Sequence, residues 1–154
     1  MPDWWWGTYG DRSPKLLGTG EYGLDDTQAA DGKYSLRVVG QADEWRAAFL
    51  DLVLEPGRTY RFHAKLRRTA HAPGISASIY EGRRLPDGKS DSVSHQIGRQ
   101  TTGPLNEWQE FETVFTALPP GEQAGARLYL YNVNSPATVW FDDLRLVPEE
   151  APLP

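Results

Sequence analysis

Three tyrosines have the type and spacing to do chemistry on a ligand. In Arg127-Leu128-Tyr129-Leu130-Tyr131-Asn132 a two-residue period sets both leucines on one face of a strand and Arg127, Tyr129 and Tyr131 on the other. If the leucines enter a core, the tyrosines meet solvent. Tyr80 shares a strand face with Ser76 and Ser78, whose small side chains would leave room beside it. A pyranose ring carries C–H groups on its face and hydroxyls around its rim, so an exposed aromatic ring with polar neighbours suits it. These residues point to non-covalent recognition of a sugar. An ordinary strand surface gives the same pattern, because aromatics favour strands anyway.

The other candidate chemistries are weaker. Glu110 and Glu112 would share a face on an extended strand, as the two carboxylates of a glycosidase must, but that spacing is common by chance. His63, His71 and His95 lack metal-ligand spacing, and no Gly-rich loop runs into Lys-Ser or Lys-Thr to cradle a phosphate. The expectation is a binding protein that catalyses nothing.

The elements that position these residues follow from composition and punctuation. With 154 residues, 39% hydrophobic and 24% charged, the chain suits one globular domain. Fifteen Gly and 12 Pro against one Met favour short strands and tight turns over long helices. A formal net charge of −5 argues against a nucleic-acid or anionic-membrane partner, and with no Cys there is no disulfide framework. No apolar run is long enough for a membrane span, and Met1-Pro2-Asp3 does not open a secretory leader, although the chain could be a mature domain or part of a longer protein.

Strand-like runs cover Tyr34 to Val39, Phe49 to Leu54, Arg58 to Arg67, Ile75 to Tyr80, Ser92 to Ile97, a stretch after Gly103-Pro104, Ala126 to Val133 and Thr138 to Val147. Tyr60, Phe62, Ala64 and Leu66 alternate with Arg61, His63, Lys65 and Arg67. Arg83 to Asp91 reads as an exposed loop around Pro86-Asp87-Gly88, and the uneven spacing of Trp108, Phe111, Val114 and Phe115 predicts a bulge. About eight strands at this spacing predict an all-β, antiparallel two-sheet sandwich of jelly-roll type, over residues 1–147, with 148–154 as a tail or linker start.

A resemblance enters with four motifs in order: Asp31-Gly32-Lys33-Tyr34-Ser35-Leu36-Arg37-Val38; Leu54-Glu55-Pro56-Gly57-Arg58-Thr59-Tyr60; Trp108 with Phe115; and Val139-Trp140-Phe141-Asp142-Asp143-Leu144. Together they resemble the carbohydrate-binding modules of families four, nine and twenty-two, from about Leu24 to Val147. The resemblance implies a jelly-roll module, usually secreted and attached to a glycoside hydrolase, that holds a polysaccharide or oligosaccharide. It implies that Trp45 joins Tyr129 and Tyr131 at the glycan. It implies core positions for Trp108 and Phe115, and a structural calcium ion at Asp142 with backbone oxygens of the segment Asp31, Gly32 and Lys33. The alternative for Asp142-Asp143 is an acidic pair bonded to loop amides.

The chain departs from those modules at its start. Pro2-Asp3-Trp4-Trp5-Trp6-Gly7-Thr8-Tyr9 replaces the usual first strand, which is therefore altered or missing. A missing strand would leave a sheet edge open to another chain, so an adhesive, assembly-forming sandwich is the alternative function. Trp4, Trp5 and Trp6 cannot all face one side, and an N-terminal plug over the core is their expected role.

Overall fold

The computed structural model describes the backbone of residues 15–17 and 22–25, and backbone with side chains for residues 30, 35–99 and 102–149. Trp4 to Trp6, Asp31 and Lys33 lie outside the described residues.

Ten strands follow one another: β1 (Lys15–Leu17), β2 (Tyr22–Asp25), β3 (Ser35–Val39), β4 (Trp45–Leu52), β5 (Thr59–Arg68), β6 (Ile75–Arg84), β7 (Ser90–Ile97), β8 (Gln109–Thr116), β9 (Gln123–Val133) and β10 (Thr138–Pro148). They form two five-stranded antiparallel sheets, β1-β4-β9-β6-β7 and β2-β3-β10-β5-β8. This is the two-sheet jelly-roll sandwich that the alternation predicts. Leu36, Val38, Phe62, Leu66 and Phe141 of one sheet meet Leu50, Ile75, Ile79, Leu128 and Leu130 of the other in one buried core. Each strand therefore needs only one apolar face, and its other face is left for charge or for a ligand.

Several local expectations are corrected. The first sheet positions are taken by short strands: β1 pairs with Ala47 to Phe49 of β4 and β2 with β3, and these two become the edge strands in place of β4 and β3. β4 starts at Trp45, four residues before the predicted run, because Arg46, Ala47 and Ala48 are all buried and hide the alternation. The predicted 83–91 loop shrinks to a turn at 85–89, closed by Leu85 N–H on the Lys89 carbonyl at 2.9 Å and by a left-handed Gly88. β8 carries no bulge, since its register with β5 runs unbroken from Thr59–Thr116 to Leu66–Gln109. The irregularities lie instead between Glu81 and Arg83 in β6 and between Asp142 and Arg145 in β10. Trp108 precedes β8, half-exposed and outside the core, whereas Phe115 is buried and stacks on Tyr60 and on His95. Pro148 ends β10 and Glu149 bonds the Thr59 carbonyl and Arg61, so this part of the predicted tail belongs to the sheet.

A candidate carbohydrate-binding groove

The outer face of the β1-β4-β9-β6-β7 sheet gathers the aromatics. Register places Tyr131 between Ala47 and Ser76, Tyr129 between Phe49 and Ser78, and Arg127 between Asp51 and Tyr80. Because the two-residue period is kept through β9, the leucines that alternate with these residues sink into the core and force Tyr129 and Tyr131 outward. Trp45 lies diagonally across from Tyr131, ring centroids 5.5 Å apart, and is 45% exposed.

The rings make a corner. Tyr129 and Tyr131 are parallel within 7° at 5.1 Å, and Tyr80 stands nearly perpendicular to both, at 5.4 and 6.2 Å. Each tyrosine thus has one face turned toward its neighbour, which leaves edges and hydroxyls for a ligand, and Trp45 becomes the broad exposed platform. Ser76 and Ser78, 5% and 0% exposed, bond to each other at 2.9 Å. They are a floor beneath the rings, not the open room their size predicts.

Polar groups are fixed around that corner. Arg127 lies 4.5 Å over the Phe49 ring, donates from Nε to Asp51 at 2.8 Å and from Nη1 to the Tyr129 hydroxyl at 3.3 Å. The bonds to Tyr129 and then Asp51 hold this guanidinium above its usual range. Since the Tyr129 oxygen accepts from Arg127, its own proton is left to donate outward. Burial first, and then the Tyr80 hydroxyl bonded to it, push the Tyr131 phenol well above the ordinary tyrosine range, so it stays a neutral donor and acceptor. Arg127 and the three tyrosines line an open cleft of about 580 Å³ together with Asp51 and the small residues Gly82, Ser92, Ala124 and Gly125.

Trp45, Tyr80, Arg127, Tyr129 and Tyr131 therefore share one face. Phe49 and Asp51 belong with them and were not singled out from the sequence. Both lie in the predicted run Phe49 to Leu54, where they alternate with Leu50 and Leu52, but nothing local says that this run pairs with β9 and brings them beside Tyr129 and Arg127.

The carboxylate pair takes a different place. Glu110 and Glu112 sit on β8 of the other sheet, Glu110 bonded to His63 Nε2 at 2.5 Å and Glu112 to Arg61, so both are held by cross-strand partners on β5. Among the described residues lining the cleft, Asp51 is the acidic one, and Arg127 holds it. Glycoside hydrolysis needs two carboxylates flanking a bond, which this groove does not provide.

Asp142 is fully buried. Its Oδ2 accepts the Ala30 N–H and its Oδ1 the Asp143 N–H, each at 2.7 Å. Among the described residues no three acidic, His or Cys side chains gather to hold a metal. One carboxylate falls short of the six to eight oxygens calcium takes, so a site there would need carbonyls from 31–33.

Residues 5–136 match the family described as "Carbohydrate binding domain". No curated protein sequence matches the chain. Among solved structures, a "Family 16 Carbohydrate Binding Module-2" superposes with a TM-score of 0.64 at 22% identity, covering 82% of this chain and 84% of that one. The CBM22-1 xylan-binding domain from Paenibacillus barcinonensis Xyn10C gives 0.59 at 17% identity, over 89% and 87%. The C-terminal family 22 module of Clostridium thermocellum Xyn10B gives 0.61 at 18% identity, over 92% and 88%. At these identities the structures speak for the fold.

Proposed function

The chain belongs to the carbohydrate binding domain family, and from that premise we propose that its outer-face groove holds a stretch of neutral polysaccharide of the xylan kind without cleaving it. The observation that carries the reading is the convergence of Trp45, Tyr80, Tyr129, Tyr131 and Arg127, drawn from three strands, on one solvent-facing surface. Neutrality of the ligand follows from the pairing of the groove's cation: Arg127 already faces Asp51, so a uronate would have to displace a carboxylate to gain it. Xylan is favoured because two similarly folded structures are xylan-binding domains. One of the similar structures is a module joined to a xylanase, which supports an extracellular setting and a fused catalytic domain for this chain as well.

Affinity electrophoresis in gels containing xylan, mixed-linkage glucan, mannan or polygalacturonate tests the reading. Retardation by xylan and not by polygalacturonate is expected. Equal mobility in all gels would remove the function, and retardation by polygalacturonate alone would reverse the charge argument.

We also propose a structural calcium ion at Asp142. What supports it is the fully buried Asp142 carboxylate, which accepts the N–H of Ala30, the residue before the segment that the resemblance assigns. Binding of a metal to the folded state alone raises stability by mass action, so excess EGTA is expected to lower the melting temperature by several degrees, restored by added calcium. A melting curve indifferent to both leaves the amides as sufficient partners.

A further inference from the structure

The exposed platform Trp45 is the first residue of β4, and the loop before it runs exposed from Gln41 to Asp43. What holds that loop is a reciprocal brace. Asn134, just past the end of β9, adopts a left-handed conformation with φ 48°. Its Oδ1 accepts the Asp43 N–H and its own N–H donates to the Glu44 carbonyl, both at 2.7 Å. Asp43 is left-handed as well, with φ 65°, so the turn from Gln41 to Glu44 has one backbone course that presents both groups to Asn134. Left-handed backbone is uncommon outside glycine, and Asn and Asp are the side chains that best tolerate it. From beneath, the buried Arg46 donates to the Val39 carbonyl at 2.5 Å and to the Gln41 side chain at 3.2 Å. The loop is therefore tied on both sides of Trp45, and neither tie touches the groove surface.

Close backbone packing keeps Asn134 in place. A Cβ at Gly74 would lie 1.9 Å from the Val133 carbonyl oxygen, so only glycine lets β6 approach the end of β9, where Val133 N–H bonds the Gly74 carbonyl at 3.0 Å. Val133 is the register partner of Trp45. The position of Asn134 relative to the platform is thus set by backbone contacts that a side-chain change at 134 leaves intact.

We propose that Asn134 is a positioning residue for the groove: it preorganises Trp45 for the sugar without contacting the sugar itself. The inference rests on the proposed carbohydrate-binding reading. Preorganisation matters because ordering a free side chain or loop at the moment of binding subtracts from affinity.

The test is a double-mutant cycle read by calorimetry with a xylo-oligosaccharide. Asn134→Gly tolerates φ 48° and keeps the backbone N–H, so it removes the side-chain amide with its Oδ1 acceptor and leaves the bond to Glu44. It is expected to weaken binding roughly three- to ten-fold, the equivalent of one unordered side chain. Asn134→Asp keeps an acceptor and should bind within about two-fold of the parent. On a Trp45→Ala background, Asn134→Gly should change the dissociation constant by less than about two-fold, because nothing is left to position. Equal loss in both backgrounds would overturn the positioning role, and so would no loss in the parent. If Trp45→Ala itself binds like the parent, it is the groove reading that fails, which separates the two outcomes.

Discussion

Replacing Trp45 with alanine is expected to raise the dissociation constant for the preferred polysaccharide about 30-fold while lowering the melting temperature by only about 2–4 °C. The binding half rests on exposure and shape. Trp45 presents the largest flat apolar surface of the groove, and truncating an aromatic anchor at the centre of a contact typically costs about 2 kcal/mol or more, which is the stated ratio at 25 °C. The stability half rests on what Trp45 does not do. At 45% exposure it shields little of the core, and its removal gives up one ring contact, to Tyr131, worth about 0.5–1.5 kcal/mol. Calorimetry and thermal denaturation of the same preparation measure both. Undiminished binding by a fully folded variant would show that the sugar lies elsewhere. Tyr131→Ala should also lose affinity, but it removes ring contacts to Trp45, Tyr129 and Tyr80, each worth about 0.5–1.5 kcal/mol, so its effect mixes binding with stability. Trp45 is the cleaner probe for that reason.

The sandwich was legible where alternation was strict. β9 shows why: Leu128 and Leu130 inside and Arg127, Tyr129 and Tyr131 outside follow from a period that no bulge interrupts from Ala126 to Val133. Alternation failed as a guide where a buried position is not apolar. Arg46 is 6% exposed at the start of β4, and His63 is 4% exposed on a strand face otherwise charged and open, pinned by Glu110 and the Asp143 carbonyl. Three consecutive buried residues, Arg46 to Ala48, look like no simple period, so the strand start at Trp45 is hidden, while Phe49 and Asp51 stand in the predicted run without a sign of the strand they pair with. Long-range contacts were illegible in principle. Asn134 meets Asp43 across 91 residues, and no local pattern in either segment announces the other. The parallel stacking of Tyr129 on Tyr131 was likewise hidden, since residue spacing fixes the face that a ring occupies but not the way the ring turns on it.

Glu81 should prove the costliest polar side chain to remove. It lies on β6 between Tyr80 and Gly82, faces inward, and is fully buried. Its Oε1 accepts the Leu118 N–H at 2.9 Å and the Gln123 amide at 3.2 Å, and its Oε2 meets His95 Nε2 at 2.9 Å. One carboxyl group thus ties β7, β9 and the loop after β8 to the irregular stretch of β6. Glu81→Ala would strand a backbone N–H and an imidazole in the interior and leave a cavity as well, a loss of about 3–5 kcal/mol. For a chain of this length that is a drop of roughly 10 °C in melting temperature. Glu81→Gln keeps an acceptor for Leu118 and should lose about half as much. The binding consequence differs from that of Trp45. With β6 no longer tied down, Tyr80 and Gly82 shift at the cleft end of the groove while the platform end keeps its Asn134 brace. Short ligands that reach only Trp45 and Tyr131 should then bind nearly as before, and longer ones should lose their advantage. A Glu81→Ala protein that melts within a degree of the parent would show that these three bonds contribute nothing net, and the link from the interior to the cleft would go with them.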